Sequence, residues 1–280
     1  MSDAISEAIG VVARSAPEIR NGLAGRRRKT DAENASGETQ LAADVWADEL
    51  LAERLTAIDG VGQFASEERE GVVECGEGYG VTVDPLDGSS NLKPNNSMGT
   101  VLGVYDAELP ASGRNLVAAA YVLYGPITTM VVARDGDVTE YVVEDDGTRR
   151  AVTEDLTLPE DPTVYGFGGR VPDWTDRFGD YAREIEDELK LRYGGAMIGD
   201  VNQVLTYGGV FAYPELESRP EGKLRLQFEG NPIAYVVESA GGASSNGEES
   251  LLDADAEAIH QRTPVYVGNE GLIERLEAGF

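Results

Sequence analysis

Asp84 and Asp87 stand three residues apart in the stretch VTVDPLDGSSN, with Pro85 between them and Gly88, Ser89 and Ser90 directly after. The first carboxylate closes an apolar run, GVTV. Pro85 has no N–H to give a central ladder, so a strand is expected to stop there. Carboxylates at a strand end point into a cleft, and a donor set made only of oxygen suits Mg²⁺ or Mn²⁺. Gly88 lets the backbone approach a ligand closely. Successive N–H groups and the Ser89 and Ser90 hydroxyls can hold phosphate oxygens. Metal on one side and phosphate donors on the other is the arrangement used in metal-assisted phosphate hydrolysis. An ordinary Asp-Gly turn is written with the same letters, so the motif needs company. An EF-hand is a poor match, because its ligands alternate and here proline follows the first.

Company is present. FASEERE carries the adjacent Glu67 and Glu68, and NASGETQLAADVWAD carries Glu38 and Asp44. Taken alone, Glu67–Glu68 is a solvated charge pair and Asp44 a helix-surface residue. Glu229 ends the run KLRLQFE, directly before a helix opened by Asn231–Pro232. Proline is at home in a first helical turn, and a carboxylate there is favoured by the helix dipole or by a metal. One histidine, His260, and one cysteine, Cys75, leave little room for zinc or thiol chemistry. A Ser-His-Asp triad would have to use His260, whose setting reads as structural.

The chain that positions these groups has 280 residues, enough for one large domain or two closely packed ones. Its net charge is -28, from 51 acidic against 23 basic residues, and Lys29, Lys93, Lys190 and Lys223 are all of its lysines. With 41% hydrophobic residues in periodic segments it is no disordered acidic tail. A carboxylate surface of this kind suits molar salt, where the Debye length falls to roughly 3 Å and self-repulsion is screened. Nucleic acid is not an expected partner, since its phosphates would be repelled. No 18-residue apolar window spans a membrane, and the N-terminal residues lack the features of a signal peptide. A lone cysteine fits a reducing cytoplasm. The basic cluster Arg26, Arg27, Arg28 and Lys29 reads first as a solvated loop between two helices, with a subunit contact or an effector site open beside that reading.

Apolar spacing predicts helices over 3–21 and 39–57, joined by a polar linker at 29–39. Strands are expected at 79–84, 99–105, 116–124, 127–133 and 138–143, forming one sheet under the two helices. A boundary falls near 151, in TEDLTLPEDP, dividing an N-terminal half, 1–150, from a C-terminal half, 151–280. The second half reads as strand TVYGFGG, helix DWTDRFGDYAREIEDELK, a glycine-rich strand-and-helix region, strand KLRLQFE, helix NPIAYVVESAGG, strand PVYVG and a final helix from about 269. The outline is layered α/β, with two halves meeting at a cleft.

DPLDGSSN, SEE, the N-x-x-G-E…D pattern, GTVLGVY, RYGGAM, YGGVFAYP, GKLRL, FEGNPIAYVVESAGG and IHQRTPVYVG together span about residues 34 to 268. As a set they resemble the class I fructose-1,6-bisphosphatases, a branch of the inositol monophosphatase-like, lithium-sensitive, metal-dependent phosphatases. The resemblance implies a sugar phosphatase fold, α+β with αβαβα layers. It implies hydrolysis of the 1-phosphate of fructose 1,6-bisphosphate, with Mg²⁺ or Mn²⁺, by a homo-oligomer (dimer or tetramer). It implies that Glu67, Glu68, Asp84, Asp87 and Glu229, with the Leu86 carbonyl, hold the metals, and that Glu38 contributes from a mobile loop. Asp44 and Glu68 would polarise the attacking water. Gly88, Ser89 and Ser90 would hold the 1-phosphate. Arg192, Tyr193, Tyr213 and Lys223 would hold the distal phosphate, Gly195, Ala196 and Met197 would line the sugar, and Arg225 would add positive charge. In the family an Asn and a Tyr before the long helix contact the distal phosphate. Here that place reads YGFGGRVPDW, with Gly168, Gly169 and Arg170, and Arg170 is the candidate replacement. The family's AMP-binding turn has no match in residues 11–30, so AMP inhibition is not implied. Another sugar or inositol phosphatase activity of the same superfamily, for instance on sedoheptulose 1,7-bisphosphate, and metal or sugar-phosphate binding without turnover stay open beside the leading reading.

Overall fold

The computed structural model describes residues 3–27, 29–33 and 39–279. Its larger sheet has eight strands in the order Arg149–Thr153, Asp137–Val143, Thr128–Arg134, Leu116–Tyr124, Met98–Tyr105, Tyr79–Asp87, Val61–Ser66 and Val73–Glu74. Neighbours run antiparallel except Val61–Ser66, which lies parallel to Tyr79–Asp87. Side chains alternate between the faces of a strand, and both faces are buried here. Val81, Val83, Leu102, Ala118 and Val122 turn toward helices α1 (Ala4–Gly22) and α2 (Ala42–Leu55), meeting Ile9, Val12, Leu51 and Leu55. Val101, Ala119, Tyr121 and Val131 turn the other way.

There they meet a layer of helices from the second half. Helix α3 (Asp176–Glu188) starts on a Thr175 side-chain cap and lies elsewhere; α4 (Met197–Tyr207) and α5 (Asn231–Ser239) form the layer itself. Ile198, Val201, Ile233, Val236 and Val237 belong to the same buried cluster as the sheet residues above, and so do Phe211, Val265 and Val267 of a second sheet. That sheet runs Lys190–Leu191, Val164–Phe167, Gly209–Tyr213, Val265–Gly268, Ala243–Ser245. Its far face carries α3 and α6 (Glu270–Gly279) through Phe167, Phe178, Tyr181, Tyr266, Leu272 and Leu276. The result is the five-layer αβαβα stack that the sequence implies. Among the described residues no helix is long and apolar enough to cross a membrane.

Four expectations change. The strand from Tyr79 does not stop at Pro85 but continues to Asp87. Asp84 pairs with Val101 and Asp87 with Gly99, so one extra residue is absorbed in a bulge, where proline's missing N–H costs no ladder bond. The bulge is pinned by the Thr100 hydroxyl, which donates to the Pro85 carbonyl at 2.8 Å, and by the Leu86 N–H, which donates to Asp84 Oδ1 at 2.9 Å. Next, the 29–39 linker contains the strands Lys29–Glu33 and Thr39–Leu41, paired antiparallel. KLRLQFE keeps only Leu224–Arg225 as strand; Leu226–Gly230 winds into one π-helical turn, because Glu229 Oε2 takes the Arg225 N–H at 2.7 Å. Finally, the basic cluster is not a free loop. The Arg26 guanidinium stacks 3.9 Å from the Trp46 ring centre and Arg27 donates to the Lys93 carbonyl, whereas Arg28 lies outside the described residues.

Candidate active site

Three carboxylates make the floor. Asp84 and Asp87 come from the bulged strand end, and Glu229 from the π-helical turn that leads into α5. All three are buried, and one oxygen from each lies within 4.8 Å of the others. Burial is the main cause of their raised proton affinity, with mutual repulsion added. Asp84 is pushed well above the usual carboxylate range by burial and by the charges of Glu67, Asp87 and Glu229. Asp87 is pushed to about 7, even though the Ile198 N–H at the start of α4 donates to its Oδ2 at 2.8 Å. Glu229 is pushed to about 8, with Arg225 opposing the rise.

The wall above the floor is built from α2 and from the turn after Val61–Ser66. Glu67 Oε1 meets Arg225 Nη1 at 2.6 Å, with the arginine side chain only 4% exposed. Asp44 sits in the first turn of α2, where its Oδ2 accepts the Leu41 N–H at 2.8 Å. Its other oxygen, Oδ1, is buried with no hydrogen-bond partner. Burial raises Asp44 to about 6, the Leu41 and Ser89 hydrogen bonds hold it down, and Glu67 adds to the rise. Crowded, buried, hard-oxygen donors with one orphaned carboxylate oxygen fit a divalent cation. Asp44, Glu67, Glu68, Asp84, Leu86, Asp87, Gly88, Ser89, Ser90, Lys223, Leu224, Arg225 and Glu229 line one cavity of about 140 Å³. Glu38 lies outside the described residues.

The phosphate-type loop is locked to the second half. Gly88 has φ 73°, a left-handed conformation, and a Cβ there would fall 2.1 Å from the Ala196 Cβ. Only glycine meets both conditions. Buried Asn91 donates from Nδ2 to the Ser97 and Gly194 carbonyls, both at 2.9 Å. From the other side Asp200, in the first turn of α4, accepts the Gly194 N–H at 2.6 Å. Burial raises Asp200 to about 6, with the Gly194 and Gly195 N–H bonds opposing.

The remaining expected residues do not line the carboxylate cavity. Arg192 is exposed: its Nη1 donates to Gln203 Oε1 at 3.2 Å, and its guanidinium lies 5.2 Å from the Tyr207 ring centre. Tyr193 is 45% exposed and lines, with Gly194 and Ala196, a separate groove beside α4. Gly195, at φ 83°, packs beside Asn91; Ala196 and Met197 are buried at the start of α4. Tyr213 lies under the Lys223 ammonium, 5.2 Å from ring centre to Nζ, and against Gly168. Arg170 is exposed.

The family models for the fructose-1,6-bisphosphatase N-terminal and C-terminal domains match residues 4–154 and 158–280. The chain belongs to the fructose-1,6-bisphosphatase family. Among class 1 fructose-1,6-bisphosphatases it is 66% identical to that of Natronomonas pharaonis over 282 residues, covering 100% of both chains. It is 56% identical to one of Haloarcula marismortui over 276 residues, covering 99% of this chain and 94% of that one. Among solved structures, the holo form of Leishmania major fructose-1,6-bisphosphatase superposes with a TM-score of 0.92 at 28% identity, over 99% of this chain and 93% of that one. The T-state of the same enzyme gives 0.87 at 26% identity, over 100% and 94%.

Sequence reasoning within this fructose-1,6-bisphosphatase chain missed Asn91 and Asp200. Asn91 stood in view at the end of DGSSN. Asp200 gave a fainter signal, a carboxylate in the first turn of a helix that follows a Gly-Gly turn. Arg225, expected to add positive charge, is buried and pairs with Glu67.

Proposed function

We propose that this chain hydrolyses the 1-phosphate ester of fructose 1,6-bisphosphate, giving fructose 6-phosphate and inorganic phosphate for gluconeogenesis. The observation that carries the reading is one cavity in which three mutually repelling buried carboxylates face the Gly88–Ser90 loop, in a chain of this family. Asp84, Asp87, Glu229, Glu67, Glu68 and the Leu86 carbonyl are the residues that would hold Mg²⁺, or Mn²⁺ in its place. A bound divalent ion of this kind polarises a phosphoryl oxygen and makes water more acidic.

The chain's own groups supply the rest. Asp44 and Glu68, which both line the cavity, accept the proton of the attacking water. Burial raises the proton affinity of Asp44, which suits a base acting near neutral pH. The N–H groups and hydroxyls of Gly88, Ser89 and Ser90 hold the phosphate undergoing cleavage. Lys223 adds a positive charge at the cavity edge, and Arg225 neutralises Glu67. Arg192, Tyr193 and Tyr213 hold the distal phosphate at the rim. In this division residues 1–150 carry most metal ligands and the 1-phosphate site, and 151–280 the sugar and distal phosphate. The enzyme works as a homo-oligomer, and it works in a salt-rich cytoplasm, the latter supported by the -28 charge and by its haloarchaeal relatives.

A phosphate-release assay in molar KCl tests this, with fructose 1,6-bisphosphate, sedoheptulose 1,7-bisphosphate and inositol monophosphate, each with Mg²⁺ and after chelation. Fructose 1,6-bisphosphate is expected to give the highest kcat/KM, and chelation to abolish release. Preference for the seven-carbon bisphosphate would reassign the substrate through the changed 168–170 segment. Absence of metal-dependent release from every compound would leave a binding protein.

A further inference from the structure

The two carboxylates assigned to the attacking water come from different elements. Asp44 belongs to α2, and Glu68 to the turn after Val61–Ser66. Backbone bonds hold the start of that turn: the Glu67 N–H donates to the Val83 carbonyl at 3.0 Å and the Arg69 N–H to the Ser66 carbonyl at 3.1 Å. Neither bond reaches α2. The reach is made by Arg69, the residue directly after Glu68, onto Asp48, one helical turn after Asp44 on the same face. Arg69 Nε donates to Asp48 Oδ1 at 3.1 Å and Nη2 meets Oδ2 at 2.8 Å, a two-pronged planar pair. The Asp48 side chain is 8% exposed and that of Arg69 35%. The backbone of Arg69 is held as well, its carbonyl accepting from His260 Nε2 at 2.6 Å, which accounts for the chain's lone histidine.

We propose that the Asp48–Arg69 pair is a positioning device that sets the spacing of Asp44 and Glu68, a proposal that rests on the phosphatase reading of the cavity. A bidentate guanidinium–carboxylate pair fixes direction as well as distance, which a lysine ammonium does not. The pair is displaced by one position from Glu68 and by one turn from Asp44. A shift between α2 and the turn therefore passes directly to the water-handling oxygens. Neither partner lines the cavity, and the pair acts through Asp44 and Glu68.

The test is a double-variant cycle on the full chain with fructose 1,6-bisphosphate in Mg²⁺ and molar KCl, using Arg69→Lys, Asp48→Asn and both together. Positioning predicts that Arg69→Lys lowers kcat about tenfold or more, leaves KM within about twofold, and keeps native circular dichroism. The double variant is expected to be no worse than the worse single one, since the two groups act as a unit. Wild-type kcat in Arg69→Lys, a loss confined to KM, or losses that multiply would each overturn the proposal. If a variant folds poorly, kcat per mole of active sites, counted by burst or tight-binding titration, separates the cases; a purely structural pair lowers the folded fraction and leaves kcat per site intact. Asp44→Asn serves as the control on the cavity reading. If it stays fully active, the cavity reading and this proposal fall together. If it is inactive while Arg69→Lys is normal, this proposal alone fails.

Discussion

The carboxylate floor and the Arg192 rim are built in opposite ways. Asp84, Asp87 and Glu229 are buried, set at a bulge and at a π-helical turn, and held by backbone donors before any ligand arrives. Arg192 and Tyr193 stand in solvent, and Arg192 rests on Gln203 and Tyr207 of its own α4. The floor stores repulsion that a cation relieves. The rim stores no such repulsion and can be ordered by a ligand. Reaction chemistry needs preorganised charge, whereas grip on a phosphate that does not react can form on binding.

The sharpest break of this contrast is at the floor. Asp87→Asn is expected to lower kcat by about 10³, roughly 4 kcal/mol of transition-state stabilisation. The amide oxygen can still accept the Ile198 N–H, so the fold is expected to survive, and circular dichroism checks that. A loss under tenfold would remove Asp87 from the floor. At the rim the effect moves to binding. Arg192→Ala is expected to raise KM for the bisphosphate about 30-fold, about 2 kcal/mol, with kcat changed far less and monophosphate turnover untouched. An unchanged KM would move the distal phosphate to another residue, Arg170 first.

The smallest effect is on stability, and the floor contributes most of it. Asp87 and Glu229 bind protons more tightly when folded, at about 7 and about 8 against ordinary values of 3.8 and 4.5. Between roughly pH 4 and 8 the folded state therefore holds more protons than the unfolded one, and stability falls as pH rises. In chelator, the melting temperature is expected to drop by about 5 °C or more from pH 5 to pH 8, and Mg²⁺ to restore most of it at pH 8. A flat metal-free curve would mean that the floor stores no repulsion.

Much of the architecture could be read in advance because it is periodic. Ile5, Ile9 and Val12 mark one face of α1, and the unbroken apolar run 116–124 marks a strand buried on both sides. The chemistry was legible where ligands are neighbours in sequence, as in SEE and DPLDGSS. It faded where function depends on pairing across the chain. Asn91 meets Gly194 and Asp48 meets Arg69 at separations of 103 and 21 residues, and no local spacing announces such contacts. The π-helical turn was misread because KLRLQFE alternates like a strand, while a single side chain, Glu229, closes its backbone instead. The orientation of Arg192 depends on which surface α4 offers it.

The bulge at Pro85 has an arithmetic consequence. On a regular strand, residues separated by an odd number look to opposite sides, so Asp84 and Asp87 would have one carboxylate facing α2 and the other facing α5. The extra residue between the Val101 and Gly99 pairings turns that odd number into an effective even one, and the two oxygens meet. The D-x-x-D spacing is thus a parity code that makes sense only together with its irregularity. Straightening the strand without shortening the motif, or shortening the motif without straightening the strand, would separate the pair although every side chain remained.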